Sequence, residues 1–139
     1  MPNTNFPQRG YILNASKKQI NKLLILYILL NENRPLYGKE INVLLNRYGF
    51  LTKDELPTHG SLYPLLHEMF EEGLLKRKER LLNPEKMLDD GDRPYQKVVE
   101  YEVTDLGRKE FEILKKKFIS FFQRQSDFLE TVYRRIYDH

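Results

Sequence analysis

Between Thr58 and Tyr63 the chain sets small polar residues, Thr58, His59, Gly60 and Ser61, directly ahead of an apolar helical stripe. The first N–H groups of a helix have no internal partner and lie at the positive end of its dipole, so such a start can take an anionic oxygen. His59, Gly60, Ser61 and Tyr63 are therefore candidate contacts to a nucleic-acid backbone or base edge. Taken alone, the segment also suits an ordinary surface helix. Catalysis has far less to work with: the three histidines are His59, His67 and His139, and cysteine is absent. No nucleophile–base or metal-ligand spacing is recognisable, and the adjacent acids Glu71-Glu72 and Asp89-Asp90 cannot converge on one proton. The expectation is a protein that is not an enzyme, with no catalytic residue, no metal and no cofactor.

The element that would carry these residues is an amphipathic helix. Leu62, Leu65, Leu66, Met69 and Phe70 fall at i, i+3, i+4, i+7 and i+8, the stripe by which a helix docks on a core. Ser61, Tyr63, His67 and Glu68 are left nearer solvent. Its start is open: Pro64 breaks an interior hydrogen bond if Thr58 is the N-cap, but falls among the free donors if Ser61 is. Gly73 offers a left-handed stop, and Leu74-Leu75-Lys76-Arg77-Lys78 restarts the chain as a basic strand.

At 139 residues, 40% apolar and 31% charged, the chain suits a single core. The formal charge of +3 is modest but unevenly placed, since no acidic residue precedes Glu32 whereas Arg9, Lys17, Lys18 and Lys22 all do. Without cysteine, disulfides and thiolate zinc sites are excluded. The longest apolar run, Leu23 to Leu30, is too short to span a bilayer, and residues 1–15 lack a signal-peptide core. A soluble, cytoplasmic protein without a membrane partner is expected.

Residues 1–15, with few apolar anchors, predict a flexible N-terminal arm. Ser16-Lys17-Lys18-Gln19 has capping-box spacing and opens a first helix to about Asn31, its apolar face broad enough to be buried on two sides. Asn33-Arg34-Pro35-Leu36 reads as a turn, Tyr37-Gly38-Lys39-Glu40-Ile41 as the entry to a second helix ending near Tyr48-Gly49. Residues 74–82 and 95–104 read as two strands flanking a loop, Asn83 to Pro94, too polar and too rich in Pro, Gly and Asp for a regular element. The fold class is mainly α with a small β-hairpin: a winged helix-turn-helix over 16–104. Residues 105–139 form a long C-terminal helix, roughly 45 Å over about 30 residues. In it Phe111, Leu114, Phe118, Phe121, Gln125, Phe128 and Val132 keep a 3,4 spacing, with Phe122, Leu129 and Ile136 widening the seam. A second copy of the chain is the simplest cover for so long a seam, though its first turns fold back over their own domain.

Four segments resemble the PadR family of transcriptional regulators. Ile25-Leu26-Tyr27-Ile28-Leu29 with Pro35 to Ile41 is similar to the family's first helix and entry to the second. Gly60-Ser61-Leu62-Tyr63-Pro64-Leu65-Leu66 through Glu72-Gly73-Leu74-Leu75 is similar to its recognition helix. Arg93-Pro94-Tyr95 and Tyr101 to Gly107 resemble its wing strand and last turn. The similarity covers about residues 20–112, and replication-terminator proteins resemble the chain more distantly. Tyr37 stands where the family commonly has His, Thr58-His59 where Ser-Pro is common, and the wing loop is long.

The resemblance implies the short form with one C-terminal dimerisation helix. It implies a homodimer whose paired third helices enter successive major grooves of a palindromic operator, about 34 Å apart, and repress by occlusion. On that footing Ser61, Tyr63, Pro64 and His67 are candidates for base or sugar contact, Lys76, Arg77, Lys78, Arg80 and Arg93 for phosphate contact, and Lys17 and Lys18 for an added contact at the first helix start. Each has a plainer role: Tyr63 packed under the wing, His67 solvated, the Lys76 to Arg80 cluster a solvated strand face. Two other functions fit the same fold, a replication-terminator or plasmid/phage DNA-organising protein and a protein-binding adaptor. A small-molecule effector between subunits is a family habit, for which Tyr27, Phe118 and Phe122 are the available aromatics.

Overall fold

The computed structural model describes residues 5–50, 59–89 and 91–137, with side chains from residue 17 in the first helix and from residue 62 in the third. Helix α1 runs Asn5–Glu32, strand β1 Leu36–Tyr37, helix α2 Gly38–Arg47, helix α3 His59–Glu71, strands β2 and β3 Leu75–Leu81 and Lys97–Val103, and helix α4 Asp105–Ile136. The strands form one antiparallel sheet in the order β1-β3-β2, with Leu36 opposite Tyr101 and Arg77 opposite the same residue from the other side. The fold is thus the expected winged helix with a long last helix.

Apolar periodicity dictates the core. Ile25, Leu26 and Ile28 of α1, Ile41 and Leu45 of α2, and Leu62, Leu66 and Met69 of α3 meet Leu36, Leu75 and Tyr101 of the sheet, all of them buried. Local chemistry sets the ends. Glu40 accepts a hydrogen bond from the Tyr37 N–H at 3.1 Å and an ion pair from Arg34 at 3.0 Å, which fixes the start of α2. Gly73, at φ +81°, ends α3 in the left-handed region open to glycine. Thr104 caps α4 by accepting from the Gly107 N–H at 3.0 Å, and its hydroxyl donates to the Gly73 carbonyl at 2.6 Å.

Three elements differ from expectation. Helix α1 begins at Asn5, so helical backbone covers residues 5–15, and Ser16 lies inside the helix instead of capping it. Pro7 falls in the first turn, where its missing N–H costs nothing. Strand β1 occupies two residues read as turn and helix entry, too short for an alternation signal, and β3 supplies its partners. Inside the polar loop, Pro84–Lys86 forms a 3₁₀ turn that Asn83 caps by accepting from the Glu85 N–H at 3.0 Å.

Helices α1 and α4 run antiparallel, with Tyr27 stacked on Phe111 and Lys117 donating to Gln19 at 2.7 Å. This pairing buries Leu114, Phe118 and Phe121 within the chain's own core. Phe111, Gln125, Phe128 and Val132 are half-buried on the same row. The seam assigned to a second copy is therefore largely taken up by the chain itself. One residue further on, a second row runs Ile119, Phe122, Ser126, Leu129, Tyr133 and Ile136, about 100° round the helix, and every member is exposed. Of the expected seam, Phe122, Leu129 and Ile136 belong to that uncovered row.

Candidate nucleic-acid interface

Helix α3 docks by Leu62, Leu66 and Met69, and this leaves Pro64 and His67 exposed on its opposite side. Because the helix begins at His59, Pro64 lies beyond the free donors and cannot bond the Gly60 carbonyl, so the first turn is held less tightly than the rest. The side chains of His59, Gly60 and Ser61 lie outside the described residues, as does Thr58. His67 sits 3.3 Å from Glu71, one turn further along.

Tyr63 is half-buried and crosses from α3 to the start of α2, where its ring covers Gly38. Burial pushes its phenol above the ordinary value, with Tyr101 adding to the rise and Lys39 opposing it. Its place is the α2–α3 crossing, where the ring fills the space over Gly38. A Cβ at position 38 would sit 2.6 Å from the Tyr63 Cζ and closer still to Cε1. Gly38→Ala should displace that ring and tilt α3, lowering duplex affinity roughly tenfold at a cost of about 1–2 kcal/mol in stability. Gel-shift titration beside a thermal melt checks it, and unchanged affinity would detach Tyr63 from the setting of α3.

The far half of α3 is bound to α1. Lys22 donates to Glu72 at 2.8 and 3.0 Å and pairs with Glu68 at 3.0 Å, while Lys18 also pairs with Glu68. Burial pulls the Lys22 ammonium down, but the bonds to Glu72 and Glu68 outweigh it and the net direction is up. Glu68 and Glu72, at the far end of α3, are thus paired with cations of α1. Lys17 and Lys18 lie in mid-helix, not at a helix start, and Lys18 is drawn to the end of α3 remote from His59.

Strand alternation splits the basic cluster of β2 between two faces. Arg77 turns toward α3, its guanidinium 4.3 Å over the Phe70 ring. Lys76, Lys78 and Arg80 share the outer face, where Lys76 meets Glu102 at 3.3 Å and Arg80 meets Glu100 at 2.7 Å. Glu100 is buried, with Lys86 also 3.9 Å away. Lys78 is the one cation of this face without an ion pair among the described residues. Arg93 is exposed in the loop, its backbone N–H bound to Gln96 at 2.9 Å.

Sequence reasoning missed Lys39, Asp89 and Asp92. The Lys39 ammonium binds Asp89 at 2.7 Å and Asp92 at 2.8 Å, fifty and fifty-three residues away. These two bonds raise the Lys39 pKa to about 12. Asp92 is buried and also accepts the Leu88 N–H at 2.7 Å; the Lys39 bond first, and that N–H second, hold its carboxyl below the ordinary range. A depressed carboxyl contributes stability that is complete above its unfolded value and fades as pH falls through the folded one, so this linkage persists through neutral pH. The only signal in the sequence was an Asp-x-x-Asp spacing in a loop, which an ordinary turn also produces.

An open groove of about 560 Å³ lies between α1 and α4, lined by Leu23, Leu24, Tyr27, Phe50 and Phe111 among others. Of the three aromatics suggested for an effector cavity, Tyr27 lines it and Phe118 and Phe122 do not. Among the described residues no group of His, Asp or Glu could hold a metal, and no helix is long and apolar enough to cross a membrane.

Residues 25–113 match the transcriptional regulator PadR-like family. No curated protein matches the chain. Among solved structures, a PadR-like transcriptional regulator from Bacillus cereus superposes with a TM-score of 0.57 at 26% identity, covering 83% of this chain and 96% of that one. A putative transcriptional regulator from Thermoplasma acidophilum gives 0.56 at 24% identity, covering 81% and 95%. A PadR family regulator from Clostridium difficile gives 0.53 at 24%, covering 78% and 96%. The last two bear on the fold alone.

Proposed function

Since the chain belongs to the PadR-like family of transcriptional regulators, we propose that it is a homodimeric repressor that binds a palindromic operator in double-stranded DNA in the cytoplasm. The observation that carries this reading is α3 docked by one apolar stripe beside a cation-bearing hairpin, with Pro64 and His67 left uncovered. That is the arrangement by which a helix enters a major groove while a wing meets the flanking backbone. The second copy would cover the exposed row of α4 from Ile119 to Ile136 and so set the distance between the two α3 helices. Bound sites that overlap promoters favour repression; tandem sites near a replication terminus favour a DNA-organising role instead.

The charge balance within the wing supports Lys78 and Arg93 as its phosphate contacts. Lys76 and Arg80 are compensated by Glu102 and Glu100, whereas Lys78 and Arg93 have no ion pair among the described residues. Lys78→Ala and Arg93→Ala should each weaken binding alike on all sequences and reduce the salt slope by about one, while Lys76→Ala changes it far less. Fluorescence anisotropy over a salt series measures this, and slopes unchanged by both substitutions would remove the wing from the interface.

A further inference from the structure

We propose that Lys39, Asp89 and Asp92 form a latch that fastens the long wing loop, residues 83–94, onto the first turn of α2 and thereby positions the wing for DNA. This rests on the DNA-binding reading above.

The regular register of β2 and β3 ends at the pair Leu81 and Lys97, and two more backbone bonds, from the Leu82 N–H to the Gln96 carbonyl at 2.7 Å and from the Tyr95 N–H to the Leu82 carbonyl at 2.8 Å, close the hairpin. The loop beyond them is long and hydrophilic. A loop of that composition has little apolar surface with which to offset the entropy of being ordered. Yet it is held at several points. Leu82 is buried, the Tyr37 hydroxyl donates to the Lys86 carbonyl at 3.3 Å, and Lys39 spans Asp89 and Asp92. Asp89 also takes the Gly91 N–H at 2.8 Å, so the carboxylates that bind Lys39 also shape the turn itself. The side-chain bonds from Lys86, Asp89 and Asp92 all land on Tyr37 or Lys39. Those residues flank Gly38, on which the Tyr63 ring of α3 rests. The wing loop and α3 therefore share one anchorage at the start of α2, and the latch ties the spacing of wing and α3 together.

A latch and a direct phosphate contact predict opposite signs. Asp92→Asn removes a negative charge, so electrostatics alone would tighten binding to any duplex. A latch predicts weaker binding, because the loop loses its place. Lys39→Met breaks the same tether from the other side, and Lys39→Arg keeps the charge and two donors. Lys39 is thus a positioning residue, with conservative rescue as its signature.

The test uses the full chain with Lys39→Met, Asp92→Asn and Lys39→Arg, each first shown by circular dichroism to keep the parent's helix content. Limited trypsin digestion reads the latch without DNA, since cleavage after Lys86 attacks the very carbonyl that Tyr37 holds. The expected result is cleavage at least tenfold faster in Lys39→Met and Asp92→Asn, and near-parental in Lys39→Arg. Binding to a duplex selected from genomic fragments should fall about tenfold in the first two, with hydroxyl-radical protection lost at the flanks and kept at the α3 half-sites. Unchanged trypsin cleavage overturns the latch. So does faster cleavage with parental affinity and flanks, or lost affinity in Lys39→Met alone with Asp92→Asn binding as tightly as the parent or tighter. If the parent itself binds no duplex while cleavage responds as expected, the DNA-binding reading fails and with it the positioning role, leaving a purely structural tether.

Discussion

Phe122→Asp combined with Leu129→Asp should leave the protein folded and monomeric, with operator affinity reduced about 10²–10⁴-fold. Both residues lie in the exposed row of α4 and neither contributes to the chain's buried core, so charge there costs little within one subunit. Across a two-fold axis the same charges would be buried against copies of themselves, where an unpaired carboxylate is strongly disfavoured. Linking two weak half-site contacts through one dimer raises affinity by two to four orders of magnitude, and loss of the dimer forfeits that factor. Sedimentation velocity and operator titration read the two halves separately. Phe118→Asp is the contrasting substitution. Phe118 is buried under α1, so that variant should unfold the chain instead of dissociating it. A double variant that stays dimeric would place the subunit contact elsewhere.

Gly107→Val should lower the melting temperature by about 10 °C. Position 107 lies in the first turn of α4 against the Leu74 backbone, between α3 and β2, and the approach is close because no side chain intervenes. A Cβ would fall inside contact distance of the Leu74 carbonyl oxygen, 3.2 Å from its carbon and 2.7 Å from Val103 Cγ1. Two of those three atoms are backbone and cannot rotate away. Overpacking costs typically 1–3 kcal/mol when side chains can adjust, and about 3 kcal/mol is expected where they cannot. For a chain of 139 residues that corresponds to roughly 10 °C. The Thr104 cap and its bond to Gly73 would loosen with it. An unchanged melt would mean that α4 shifts at this joint without cost.

The elements legible in the sequence were those with a long apolar period. Leu62 to Phe70 announced α3, and Asp105 onward announced α4, because the stripes that bury them are written at helical spacing. What could not be read was which partner each stripe meets. Phe118 and Phe121 satisfy a coiled-coil spacing equally well against a second copy or against α1, and only three-dimensional packing decides in favour of α1. In the exposed row beside it, Phe122, Leu129 and Ile136 read only as a widening of that seam, because Ser126 interrupts the row's apolar run.

The candidate site was legible in kind more than in contact. Lys76, Lys78 and Arg80 were visible as cations, but Glu100 and Glu102 face them from a strand far along the chain, and that compensation depends on register. Tyr63 was visible as a polar aromatic, while its packing depends on Gly38 lying opposite. Lys39 gave no sign at all, since its partners are separated from it by α3 and a hairpin strand. Pairings over long sequence separations leave no local period, and this is why the wing loop read as structureless.

The central claim, two α3 helices reading one duplex, is tested most directly by hydroxyl-radical footprinting of the parent protein on fragments it selects from genomic DNA. Two protected half-sites related by a dyad are expected, their centres about one helical turn apart, with lighter protection outside each from the wings. One unsymmetrical tract, or no fragment retained even at low salt, would contradict it.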